Sequence, residues 1–148
     1  MGYEMTNNDN VNGLSLANFW VGLIAITLGA VLGVYQVIER VGLFEWLDSP
    51  TLYFASVSTH GVLMGFVVTT FMIMGFGYYA ATTSLKMPLP GKGLAWFGFY
   101  VSLTGTLLAA VPLLLGEASV MYTFYPPLVA HPAFYIGATL LVVGSWFW

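Results

Sequence analysis

Formal charge is nearly absent from this chain. Of 148 residues only three are Lys or Arg and six are Asp or Glu, 6% in all, where a soluble domain carries about a quarter. That excludes a soluble globular domain. Cysteine is missing altogether, which removes disulfides, thiolate metal sites and iron–sulfur clusters carried by this chain. Three positive charges without a basic cluster argue against nucleic acid, and a net charge of −3 is too small to imply a strongly electrostatic partner. Nitrogen ligands reduce to two histidines, His60 and His131.

What is present is apolar surface, at 59% of residues. The few charges leave uncharged runs from Asn10 to Ile38, Ser49 to Leu85, Gly93 to Gly116 and Ala118 to Trp148. A hydrocarbon core of about 30 Å takes about 20 apolar residues in a helix, and only helices and closed barrels satisfy their backbone in lipid. Continuous apolar runs favour helices. The expected fold is therefore an all-α, polytopic transmembrane bundle: a polar tail over residues 1–13, then spans at about 14–38, 52–80, 93–116 and 133–148. The tail holds Glu4, Asp9 and four asparagines with no Lys or Arg, unlike the basic start of a secretory signal. Gly29 and Gly33 in the first span form a G-x-x-x-G pair that lets a helix or a flat cofactor approach the backbone. The fourth span is 16 residues long and ends on S-W-F-W with no polar cap, which reads as a truncated frame or fragment. Placing the N-terminus on the cytoplasmic side puts Lys86 and Lys92 inside and Arg40 outside, the order that the positive-inside rule favours. His60 then lies in the outer third of the membrane and His131 near the same face.

A histidine within a span is costly unless it is paired, faces a cavity or ligates something, so His60 is the first candidate for chemistry. Gly61 and Gly65, four apart, leave a low surface beside it where a planar macrocycle fits, which suits haem ligation. The alternative is a histidine bonded to a neighbouring helix, with the glycines serving packing. His131 precedes a proline at a span boundary, where water or headgroups satisfy it; the competing idea pairs it with His60 across a b-type haem. Tyr122, Tyr125, Trp96, Tyr100 and Phe124 sit near span ends and read mainly as interfacial anchors. Pro126-Pro127 is expected to hold the connection extended, Glu117 to be solvated, and Thr69 and Thr70 to bond their own helix backbone. No paired acids, nucleophile triad or phosphate loop is present.

T-H-G-V-L-M-G-F at 59–66 and E-A-S-V-M-Y-T-F-Y-P-P-L at 117–128, followed by H-P-A-F-Y-I-G-A, resemble subunit I of the haem-copper terminal oxidases, most closely the B family. The resemblance implies the N-terminal part of a twelve-helix-type catalytic subunit that reduces dioxygen to water and translocates protons. It also implies that His60 is an axial ligand of a low-spin haem of b or a type, with Gly61, Gly65, Tyr122 and Tyr125 near the haem. His131 has no ligand counterpart. The high-spin haem and copper ligands of that family belong to later helices, so this chain alone would not reduce oxygen. Implied partners are the remaining helices of subunit I, a copper-containing subunit II, cytochrome c or a similar donor, and the lipid of a prokaryotic plasma membrane. Nitric oxide reductase shares the fold, although Y-T-F-Y-P-P-L favours the oxidase. A small bis-histidine cytochrome and a cofactor-free structural protein remain the other classes.

Overall fold

The computed structural model describes residues 2–43, 49–121 and 123–147. The chain forms a bundle of four helices: α1 (Gly2–Arg40), α2 (Pro50–Leu85), α3 (Lys92–Leu114) and α4 (Pro132–Ser145). The first three are long and apolar enough to cross a membrane, and the fourth is shorter. The all-α, membrane-spanning expectation agrees with this; the boundaries differ in instructive ways.

α1 begins at Gly2, so the segment expected as a polar tail has helical backbone; its side chains, with those of Glu4 and Asp9, lie outside the described residues. Extending a helix that the apolar span has already nucleated costs little per residue, and no proline interrupts residues 2–13. The helix ends where Gly42, at φ +64°, turns left-handed. Leu43 N–H then donates to Ile38 O and Gly42 N–H to Glu39 O, closing the last turn as a Schellman motif. The same device ends α3, with Gly116 at φ +74° and Glu117 N–H donating to Pro112 O.

α2 starts on Ser49, whose hydroxyl accepts from Leu52 N–H, with Pro50 at the first helical position. It runs five residues past the expected end at Ala80, because nothing in A-A-T-T-S-L breaks a helix before Pro88. Its interior is not uniform. Between two α-helical stretches, Pro50–Val62 and Thr69–Leu85, the segment Leu63–Val68 forms a π-helical turn. The Thr69 hydroxyl donates to the Gly65 carbonyl at 2.6 Å and lies 3.2 Å from that of Phe66, giving partners to carbonyls inside the irregular turn. This is the backbone bonding expected of Thr69.

The helices pack as two antiparallel pairs, α1 on α2 and α3 on α4, with α2 also touching α3. Phe71, Met74, Phe99, Phe134 and Val120 fill the centre. Trp20, Ile24, Val31 and Val34 on α1 point outward, as side chains facing lipid or further helices do. The α3–α4 seam is made of small residues. A Cβ on Gly137 would lie 2.5 Å from Ala109 N and 2.6 Å from Gly105 O, and one on Gly105 would lie 2.5 Å from Leu141 N. A Cβ on Gly144 would strike the Ser102 hydroxyl. With Gly98, Ser102, Gly105 and Ala109 one turn apart, the two backbones touch, and the Ser102 hydroxyl donates to Leu141 O across the gap at 3.1 Å.

The connection from α3 to α4 departs from expectation. Instead of running extended, it doubles back: Ala118 bridges Ala130, and His131 N–H donates to Glu117 O at 3.0 Å. The Pro126–Pro127 peptide is cis. The cross-bonds outweigh the local preference of the two prolines for an open chain. Ala118 and Val120 are buried beneath this loop, and Glu117 is exposed, as expected of a solvated carboxylate.

The seam generates a test. Gly137→Val should lower stability by about 1–3 kcal/mol through overpacking, while Gly93→Val, in open space at the start of α3, should be neutral or raise it by about 0.5 kcal/mol. Denaturant unfolding in micelles measures both, and equal losses would contradict the seam as the reason for glycine.

Candidate functional site

His60 lies in the fourth turn of α2, half-buried against α1. Its Nδ1 is 2.7 Å from the carbonyl oxygen of Gly29. A carbonyl only accepts, so Nδ1 carries the proton, and the tautomer this selects for a neutral ring has its lone pair on Nε2. Nε2 has no hydrogen-bond partner among the described residues. The bond fixes the ring orientation and, for the neutral ring, the tautomer, as a bond to the second ring nitrogen does in metal-binding histidines.

The G-x-x-x-G pair of α1 makes this contact. In an α-helix the Gly29 carbonyl bonds the amide of Gly33, and its second lone pair is reachable only if residue 33 leaves room. A Cβ on Gly33 would lie 3.3 Å from His60 Cε1 and 3.6 Å from Nδ1, close enough that the ring would have to shift by a few tenths of an ångström. A Cβ on Gly29 would lie 2.6 Å from Met64 Sδ. The first glycine thus admits Met64 and the second admits the imidazole. Further along the interface Gly22 faces Met72, and Gly75 faces Asn18 and Phe19. At the opposite end Arg40 Nε donates to the Tyr53 hydroxyl at 2.7 Å, with the guanidinium 5.8 Å from the ring centroid.

The other site residues separate. Gly61 follows His60 and is half-buried; Gly65 is exposed with open space where a Cβ would sit. Gly65 lies within the π-helical turn, so the regular one-turn spacing assumed between the two glycines is altered there. Tyr125 is 72% exposed on the α3–α4 loop, and Tyr122 lies outside the described residues. His131 has a different task. Its Nδ1 accepts from Ala133 N–H at 3.2 Å and caps α4. An accepting Nδ1 places the proton on Nε2, the reverse of His60. No three His, Asp or Glu side chains converge among the described residues.

Phe66, in the π-helical turn, stacks on Phe124 with centroids 5.5 Å apart, and Phe124 meets Phe134 edge-on at 5.0 Å. Beside them lies an apolar cavity of about 130 Å³ between the helices, lined by Val62, Thr106, Leu113 and Leu141 among others. Phe124 is thus a packing residue as well as one near a span end. Sequence reasoning missed three features: the π-helical turn, the pairing of Gly29 and Gly33 with His60, and buried Ser58, whose hydroxyl binds the α3–α4 loop. The one-turn spacing of small residues was a signal for the second; the others left none in a single sequence.

An apolar bundle whose first three helices are long enough to cross a membrane, with an imidazole inside one of them, defines a polytopic helical membrane protein. The comparisons give the family. The family model described as Cytochrome C and Quinol oxidase polypeptide I matches residues 13–148. Cytochrome c oxidase subunit 1 of Thermus thermophilus is 33% identical over 132 residues, covering 85% of this chain and 23% of the relative. A haem-copper terminal oxidase solved as a dimer by cryo-EM superposes with a TM-score of 0.85 at 36% identity, over 93% of this chain and 24% of that one. The chain belongs to the cytochrome c and quinol oxidase polypeptide I family and spans about a quarter of the length of these relatives.

The two histidines should be distinguishable without any metal. In ¹⁵N spectra of the metal-free chain in micelles, His60 should show a protonated Nδ1 and His131 a protonated Nε2. The same tautomer at both positions would contradict the hydrogen bonding described.

Proposed function

We propose that this chain is the N-terminal part of the catalytic subunit of a respiratory haem-copper oxidase and that His60 supplies one axial ligand of its low-spin haem. The observation that carries this reading is the His60 Nδ1–Gly29 carbonyl bond, which leaves Nε2 as the lone-pair nitrogen on a helix embedded among apolar residues. The open backbone at Gly65 supports the fit of a flat macrocycle beside the helix. When bound, haem supplies a one-electron carrier whose potential depends on its axial ligands and on burial. The chain's own part is to fix the ligand's tautomer, hold the imidazole against α1 and keep water from that side.

In this reading the second axial ligand, the high-spin haem and the copper are held by other segments of the subunit. Reduction of dioxygen to water and proton translocation belong to the whole complex, together with a copper-containing subunit II and cytochrome c or a similar donor. The membrane is a prokaryotic plasma membrane, with the N-terminus cytoplasmic and His60 toward the outer side; Lys86 and Lys92 on the α2–α3 connection against Arg40 at the other end support that orientation. Gly61, Tyr122 and Tyr125 are assigned to the haem surroundings rather than to ligation.

The small bis-histidine cytochrome is disfavoured by His131, whose Nδ1 is committed to capping α4 and whose Nε2 therefore carries a proton. The discriminating experiment uses single variants in the membrane complex that carries this chain. His60→Ala should abolish the low-spin haem absorbance, while His131→Ala should retain it and lose about 1 kcal/mol of helix-cap stability. Retention of the low-spin bands in His60→Ala, or their loss in His131→Ala, would contradict the assignment.

A further inference from the structure

We propose that Ser58 is a positioning residue for the haem ligand: its hydroxyl fastens the outer loop to α2 on the side opposite His60, fixing the rotation of the helix that carries the imidazole. This inference rests on the reading of His60 as an axial ligand. Ser58 is fully buried. Its hydroxyl donates to Phe54 O at 3.0 Å and accepts from Met121 N–H at 2.8 Å. A serine serving only its own helix would make the first bond alone; the second joins elements 63 residues apart in the chain.

Ser58 and His60 are two residues apart, about 200° around the helix axis. They therefore face opposite ways. On one side Nδ1 of His60 holds Gly29 O of α1, and on the other the Ser58 hydroxyl holds the backbone of the outer loop. Two bonds on opposite sides of a helix resist its turning about its own axis, which neither bond achieves alone. The restraint matters here because the regular ladder of hydrogen bonds is interrupted at Leu63–Val68. Packing farther along, at Phe71 and Met74, sets the phase of His60 less firmly across a π-helical turn than across an unbroken α-helix.

The loop is built to serve as an anchor. Its ends are tied by the Ala118–Ala130 bridge and by His131 N–H on Glu117 O, and Val120 is fully buried beneath it. Met121 and Phe124 both lie at φ +55°, a left-handed conformation that residues with side chains keep only where surrounding contacts hold it. Phe124 gives the loop a second hold on α2 by stacking on Phe66. The two attachments, Ser58 and Phe66, bracket His60 in sequence.

The test compares Ser58→Ala and Ser58→Thr in the membrane complex that carries this chain. Ser58→Ala should retain haem, yet shift the electron paramagnetic resonance g-values and the midpoint potential of the low-spin haem. It should also speed hydrogen exchange of the 118–130 peptide about tenfold, the effect of losing one hydrogen bond of ordinary strength. Ser58→Thr, which keeps the hydroxyl, should restore all three. Faster exchange with wild-type g-values and potential overturns the positioning role, and so does unchanged exchange. His60→Ala runs alongside: loss of the low-spin signal there with wild-type spectra in Ser58→Ala overturns positioning alone, whereas a low-spin signal retained in His60→Ala overturns both readings. Should Ser58→Ala fail to assemble, Ser58→Cys, a weaker acceptor of similar size, should give smaller shifts of the same kind; wild-type spectra in that variant overturn the proposal.

Discussion

The hydrogen bond from His60 Nδ1 to the Gly29 carbonyl is the contact on which the rest of the arrangement depends. It satisfies one polar atom of a half-buried side chain inside an apolar span, it selects the tautomer of a neutral ring, and it requires two helix backbones to lie close together. The last requirement explains the glycines: Gly33 leaves room for the ring, and Gly29 leaves room for Met64 one turn on. An alanine or larger residue at either position would press against the α2 side chain beside it. Arg40 on Tyr53 and Gly75 against Asn18 hold the same two helices together to either side of this point.

Close approach through small residues recurs in the α3–α4 pair, where the Ser102 hydroxyl binds the Leu141 carbonyl between glycines. Within lipid there is little hydrophobic gain in pressing helices together, so association relies on dispersion and interhelical hydrogen bonds, both of which improve as backbones converge. The two pairs meet mainly where α2 faces α3, and the α3–α4 loop joins them through the Ser58–Met121 bond and the Phe66–Phe124 stack. The loop is therefore as much part of the packing as a helix is, with Val120 and Phe124 filling space between elements.

Much of this was legible in the sequence because membrane solvation leaves few choices. The paucity of charge marked the spans, and the prolines and glycines between them placed the connections, with helix ends misjudged where no breaker was present, by about five residues at Leu85 and about twelve at the start of α1. His60 stood out because histidine is expensive within a span, and the T-H-G and Y-T-F-Y-P-P-L segments pointed to the oxidase family, as the comparisons also do. What was not legible is what depends on contacts distant in sequence. The pairing of Gly29 with His60, the bond from Met121 to Ser58 and the folding back of the loop across Pro126-Pro127 join segments whose proximity no local pattern announces. The π-helical turn is local, but L-M-G-F-V-V carries no breaker that separates it from an ordinary α-helical turn. His131 illustrates the opposite case: a residue of ligand type whose position before Pro132 already suited it to a helix start, and which serves there as the cap.

The central proposal is that α1 holds His60 so that Nε2 is free to ligate a haem iron. A density map of the membrane complex that carries this chain, at a resolution that orients imidazole rings, tests it most directly. The account predicts His60 Nε2 bonded to a haem iron with Nδ1 still on the Gly29 carbonyl. Iron ligated by other residues, with His60 bonded only to protein, would contradict it.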